Sequence, residues 1–177
     1  MRTLIFGWLL IVLLAACESN REVSTLQGNP RPLLDRTLQI VTGQTLYVPA
    51  YSEVFYGTRD RTYPLGITLT IHNTDQENTI IIQTVRYYDT DGVLIRDYVE
   101  QPVEVGPLAT IGFIVPDDDK RGGFGANFIV EWVGEQPVSE PIVEAVMVSA
   151  RDTQGISIVS PGRILSQISA DAEAATD

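Results

Sequence analysis

The sequence predicts an all-β protein, an antiparallel immunoglobulin-like β-sandwich of about seven or eight strands. Three observations lead there. Apolar residues recur at every second position in several short runs, turn signals separate the runs by about 10 to 15 residues, and no convincing helical segment lies between them. A closed barrel is the alternative that the same strand spacing permits.

Each predicted strand has its own signal. Residues 45–48 and 156–160 are short apolar runs at the two ends of the domain. Leu65, Ile67, Leu69 and Ile71 alternate with Gly66, Thr68, Thr70 and His72, so one face of that strand meets a core. Residues 80–88 are β-branched and aromatic, and Asp89-Thr90-Asp91-Gly92 leads from them into residues 93–99. Asp and Gly tolerate positive φ at a turn, which predicts a tight hairpin. Ala109, Ile111, Phe113 and Val115 alternate with Thr110, Gly112 and Ile114, and Phe128, Val130 and Trp132 alternate with Ile129 and Glu131. Trp132 is therefore expected between the two sheets. Residues 142–149 are apolar on nearly both faces, the pattern of a central strand covered on both sides.

The ends of the chain read differently. Arg2, an apolar run over residues 4–14 interrupted only by Gly7, and Ala15-Ala16 precede the only cysteine, Cys17. This resembles a bacterial lipoprotein signal peptide with its lipobox, which implies cleavage before Cys17 and diacylglycerol on its sulfur. The run is too short for a transmembrane helix, which needs about 20 apolar residues. A simple secretory signal would leave an unpaired thiol in an oxidising compartment. The predicted organisation is a signal peptide over residues 1–16, a lipidated cysteine and flexible tether over 17–44, the sandwich over 45–165, and a disordered or frayed tail over 166–177. The expected location is the bacterial cell envelope, lipid-anchored and facing the periplasm or exterior. Glu18 stands where an aspartate often signals inner-membrane retention, which leans toward the outer membrane.

Charge and cysteine content narrow the partners. The formal net charge is −11, and losing Arg2 with the leader makes it more negative, which disfavours nucleic acid and anionic headgroups. With no cysteine after Cys17, neither a disulfide nor a thiolate metal site can form in the domain. No cofactor and no metal are expected.

Several motifs in one order resemble the DUF3124 family of bacterial proteins: Tyr47-Val48-Pro49-Ala50-Tyr51-Ser52, Asn73-Thr74-Asp75, Tyr87-Tyr88-Asp89-Thr90-Asp91-Gly92, the stretch over residues 122–132, residues 141–147 and Gly155-Ile156-Ser157. The resemblance covers nearly the whole domain and carries over no catalytic or ligand residue. Residues 65–116 also resemble the extended immunoglobulin-like domains of bacterial surface proteins, whose usual role is binding or spacing.

Candidate sites are few. His72 is the only histidine, and no Gly-x-Ser-x-Gly or paired-histidine spacing accompanies it, so the chain is not expected to be an enzyme. Asp89 and Asp91 flank a turn, for which turn chemistry is a sufficient role. In the loop over residues 117–127, Asp117, Asp118 and Asp119 offer hard oxygen ligands, and Gly122, Gly123, Gly125 and Asn127 let a backbone approach a ligand closely. Their spacing departs from that of a Ca²⁺ loop, and a long solvated connection explains them as well. Tyr47, Tyr51, Phe55, Tyr56 and Tyr63 suit either rim packing or the holding of sugars and peptides. Glu144 shares strand parity with Ile142, Val146 and Val148, so a buried ion pair with Arg163 is expected to satisfy it.

The functional expectation is non-enzymatic binding or assembly at a membrane, through the lipid anchor and with an envelope protein as partner. The alternatives are a small-ligand or cation-binding module using residues 117–127, a loop-based hydrolase, and a structural spacer. Replacing Cys17 is the direct check on anchoring: the Cys17→Ser protein should lose labelling by a palmitate analogue and remain unprocessed or be released in soluble form, whereas wild-type labelling would sink the lipoprotein reading.

Overall fold

Alternation along a strand gives each sheet one apolar face, and two such faces pressed together form the core. In chain order the computed structural model, which describes residues 26–33, 37–150 and 155–169, contains strands β1 (Leu26–Gln27), β2 (Arg31–Pro32), β3 (Thr42–Pro49), β4 (Glu53–Tyr56), β5 (Thr58–Pro64), β6 (Gly66–His72), β7 (Ile80–Tyr88), β8 (Leu94–Asp97), β9 (Val103–Val105), β10 (Thr110–Val115), β11 (Asn127–Gly134), β12 (Ile142–Ser149), β13 (Ile156–Pro161) and β14 (Arg163–Ser169). One 3₁₀ turn, Gly123–Gly125, interrupts the connection between β10 and β11. A five-stranded sheet has the order β1-β10-β6-β12-β13. A seven-stranded sheet has the order β14-β3-β11-β7-β9-β2, with β8 on β7. The strands pair antiparallel, and β4 with β5 makes a separate hairpin. The protein is thus an antiparallel immunoglobulin-like sandwich and not a closed barrel.

The inward residues are those the period selected, except that Ala109 lies before β10 and is exposed. Leu65, Ile67, Leu69, Ile71, Ile111, Phe113, Val115, Phe128, Val130 and Trp132 are all buried. Trp132 is 1% exposed, and its Nε1 donates to Gln44 Oε1 at 3.2 Å, so the indole buries its ring without stranding its N–H. Toward the other end, Tyr87 stacks on Phe128 with centroids 4.7 Å apart, and Tyr98 meets Phe113 edge-on at 5.5 Å. The Asp-Gly turn also forms: Gly92 has φ +79°, and Asp89 Oδ1 accepts from the N–H groups of Asp91 and Val93.

Three expectations need correction. β12 lies between β6 and β13, yet only one of its faces is covered: Val143, Ala145, Met147 and Ser149 are buried, while Ile142 and Val148 are 54% and 48% exposed. Glu144 therefore sits on the outer face, in register with Thr70 and Pro161, and Arg163 is exposed on β14 in the other sheet, opposite Tyr47. The expected buried Glu144 and Arg163 pair is not formed. Apolar residues at both parities left the inward face open to choice, and packing chose the smaller set. Secondly, part of the supposed tether is strand: Leu26 pairs opposite Phe113 and Arg31 opposite Glu104. Thirdly, the supposed tail is ordered through Ser169, because β14 adds to β3 by backbone hydrogen bonds that need no side-chain pattern. Residues 1–16, Cys17 and residues 170–177 lie outside the described residues.

At the end of the sandwich formed by His72, Thr110 and Ile142, two side chains organise the loops. Asn73 Nδ2 donates to the carbonyls of Asn78, Val105 and Gly106 at 2.8 to 3.0 Å. Asp75 accepts from Ser139 N at 2.9 Å through Oδ2, and from Glu77 N and Asn78 N at 2.9 and 2.7 Å through Oδ1. This gives Asn73-Thr74-Asp75 a structural role.

Those N–H groups, Ser139 first, hold the Asp75 carboxyl down from 3.8 to about 2. A carboxyl depressed in the folded state stabilises the fold above its unfolded pKa and loses that contribution as pH falls. The urea midpoint of the protein should therefore drop between pH about 4 and about 2. Asp75→Asn should lower the midpoint at neutral pH and flatten this dependence; an unaltered slope would place the titration elsewhere.

Candidate functional site

The opposite rim is where β3, β7, β10 and β11 present Pro49, Tyr88, Val115 and Asn127. It gathers the loop over residues 116–126, the turn over residues 89–93 and the hairpin of β4 and β5. Ala50 N donates to the Ala126 carbonyl at 2.9 Å. The backbone N–H and Oγ of Ser52 both donate to the Gly123 carbonyl, at 3.0 and 3.2 Å. Thr90 does the same to Gly122, at 3.1 and 3.0 Å, and its Oγ1 accepts from Gly125 N at 3.0 Å. The glycine loop is thus fastened to both neighbouring turns through its own backbone.

That arrangement assigns the glycines and acids separate jobs. Gly122 has an ordinary helical backbone, with φ −66° and ψ −31°, so the demand for glycine there is one of space. A Cβ at this position would lie 1.9 Å from the Tyr87 hydroxyl and 2.8 Å from Ala126 Cβ. The hydroxyl is buried and makes no hydrogen bond of ordinary geometry; the adjacent Ser52 hydroxyl donates to Gly123 instead. Burial pushes the Tyr87 phenol above its ordinary range, and Ser52 pulls the other way. Asp119 is engaged by Arg121, whose Nε and Nη2 donate at 2.8 and 2.6 Å, and this pairing holds its carboxyl below the usual range. Asp118 is exposed and Asp117 half-buried, while Asn127 belongs to β11. The structure brings Gly122, Gly123 and Gly125 against Ser52 and Thr90, not against three carboxylates.

The aromatics divide. Tyr51 packs on the core, and its N–H donates to Met147 Sδ at 3.2 Å. Tyr47 is half-buried on the outer face of β3, in register with Arg163. The remaining aromatics dress the hairpin: Tyr56 stacks on Tyr63 at 4.1 Å, and Phe55 meets Phe124 of the 3₁₀ turn at 5.4 Å. Phe55 and Phe124 stay 51% and 52% exposed. Sequence reasoning did not join Phe124 to this group, although its place between two glycines on a loop was a signal of exposure.

Elsewhere the candidates resolve into structure. His72 lies on an outward strand face, with Nδ1 2.9 Å from Thr110 Oγ1. A cleft of about 240 Å³ has Glu77, Glu104 and Glu135 on its walls, but Glu135 accepts from Gln39 N at 3.0 Å and Glu104 faces Arg31 at 4.0 Å. Among the described residues, no group of three His, Cys, Asp or Glu side chains is placed to hold a metal ion.

A family model described as a protein of unknown function, DUF3124, matches residues 43–165. No curated protein matches the chain. One solved structure, the crystal structure of Thermotoga maritima 1070, is similar with a TM-score of 0.40 and 13% identity, over 68% of this chain and 92% of that one.

The Gly122 contact is testable as a pair. Gly122→Ala should destabilise the domain by about 1 to 3 kcal/mol, the usual cost of overpacking, as measured by urea denaturation. In a Tyr87→Phe background the same change should cost less, because the hydroxyl in its way is gone. Equal losses in both backgrounds would mean that the loop moves aside instead.

Proposed function

This chain belongs to the DUF3124 family, and we propose that it is a lipid-anchored protein of the bacterial cell envelope whose sandwich binds an envelope protein by accepting an extended strand, without catalysis. The anchor is carried by the lipobox ending at Cys17. The binding role is carried by one observation. The chain switches sheets at Gly162, so β13 and β14 run one after the other along the same side of the sandwich as the outermost strands of the two sheets. Among the described residues, no strand pairs with the outer edge of either.

An open edge offers a row of unpaired N–H and C=O groups, and proteins that avoid pairing guard it with lysines, prolines or inward charges. β14 has Arg163 at its start and then leaves Ile164, Leu165 and Ile168 exposed at 48%, 61% and 49%. Val159 of β13 adds a further apolar side chain, 57% exposed. Main-chain pairing would supply affinity and these side chains specificity, as in other cases of strand addition. The rim loop is a poorer candidate, since its Gly122 and Gly123 carbonyls and Asp119 are already engaged within the fold.

A photo-activated cross-linker at Leu165 in intact membranes should give an adduct with one envelope protein. Ile168→Asp should remove that adduct while leaving the urea midpoint within about 0.5 kcal/mol of wild type, as befits an exposed site. Adducts no stronger than those from the same group at Val93, on the β7 to β8 turn, would overturn strand addition. Adducts only between two copies of this chain would overturn the envelope partner.

A further inference from the structure

We infer that the rim hairpin is a lipid-facing surface, and that the domain rests Phe55, Tyr56 and Phe124 on the interfacial region of the bilayer that holds Cys17. The inference rests on the anchoring of Cys17 proposed above. It does not depend on strand addition at β14.

The first ground is the reach of the chain. Nine peptide links separate Cys17 from Leu26, so even fully extended they span only about 30 Å. Leu26 is pinned opposite Phe113, two residues from the rim end of β10 at Val115, and β1 runs away from that rim. The N-terminal end of β1 therefore points toward the rim. A domain held this closely must turn some surface to the membrane, and the rim end of β10, two residues from Phe113 against three for the end at Thr110, lies well within that reach.

The second ground is what the rim presents. Phe55, Tyr56 and Phe124 are 51%, 38% and 52% exposed on a hairpin and a 3₁₀ turn at the rim. They are braced rather than free: Phe55 packs on Phe124, Tyr56 stacks on Tyr63, and the Arg61 guanidinium lies 5.7 Å from the Tyr56 ring centroid. Rigid aromatic rings with a polar edge suit the headgroup level, where one side of the ring is dry and the other wet. Gly57, at φ +70° with open space around it, makes the tip narrow.

Charge decides which lipids this surface takes. Arg59 and Arg61 flank Asp60, and Asp117 and Asp118 sit on the neighbouring loop, so the rim has no basic excess. Contact is made through the rings, and anionic lipid is not required.

The test reads depth from both ends of the molecule. The processed, lipidated chain, which has lost Trp8 with the leader, carries Phe124→Trp or Leu108→Trp and is reconstituted through its lipid into phosphatidylcholine vesicles. A parallel sample couples the Cys17 thiol of the processed chain to a maleimide lipid. Leu108 is 67% exposed at the opposite end of the sandwich, and buried Trp132 gives both proteins the same background. The Phe124→Trp protein should lose emission to brominated phosphatidylcholine and shift to shorter wavelength, equally in 0.1 M and 0.5 M salt, while the Leu108→Trp protein should do neither. Quenching at both positions, at neither, or only at position 108 overturns the inference. The mass of the membrane-extracted protein reports acylation separately: without acylation the anchor reading fails, and the maleimide sample still decides whether the rim meets lipid.

Discussion

Everything in this molecule depends on the pairing of two apolar sheet faces, with Trp132 at one end of the shared layer and Tyr87, Phe128, Tyr98 and Phe113 at the other. Large rings held between sheets fix the spacing and relative position of the strands, because interiors are close-packed and tolerate neither gaps nor intrusion. Polar groups follow that placement. Gln44 is buried to receive the indole N–H and donates in turn to Glu140 at 2.9 Å. Gly122 lacks a side chain because the Tyr87 hydroxyl already occupies the space. With the interior committed, the rims, the open side and the outer sheet faces remain to meet other molecules.

Much of this was legible. Residues 65–71, 111–115 and 128–132 alternate so cleanly that their buried faces follow from period alone, and Asp91-Gly92 announces its own turn. β12 defeated the same reasoning because Val, Ala and Met at one parity compete with Ile and Val at the other. Only the tertiary fit of the smaller residues under the second sheet decides between them. β14 was illegible for a different reason: its register shifts between Ile164 and Ser166, and the bulge breaks the alternation that would have marked a strand. β1 and β2 are two residues each, too short to carry any period.

The candidate site was half visible. The acids and glycines over residues 117–127 stood out as chemistry-bearing types, but their partners Ser52 and Thr90 are distant in sequence and gave no signal. Arg121, two residues from Asp119, was the one partner in plain view. The hairpin of β4 and β5 was visible as a crowd of aromatics, and the exposure of its tip was not. Exposure is a tertiary fact: Tyr51 turns inward onto the core, while Phe55, four residues later, does not.

The placement of β14 beside β3 also bears on how the chain reaches its fold. Leu46 finds its partner Ile164 only after more than a hundred intervening residues have emerged, and the first long strand meanwhile keeps one flank bare. Pairings this remote in sequence are slow to close, since loop entropy must be overcome before any contact rewards it. A chain built this way resists premature folding during synthesis. Late closure leaves β3 paired on one flank only, with β11, until the last strand arrives.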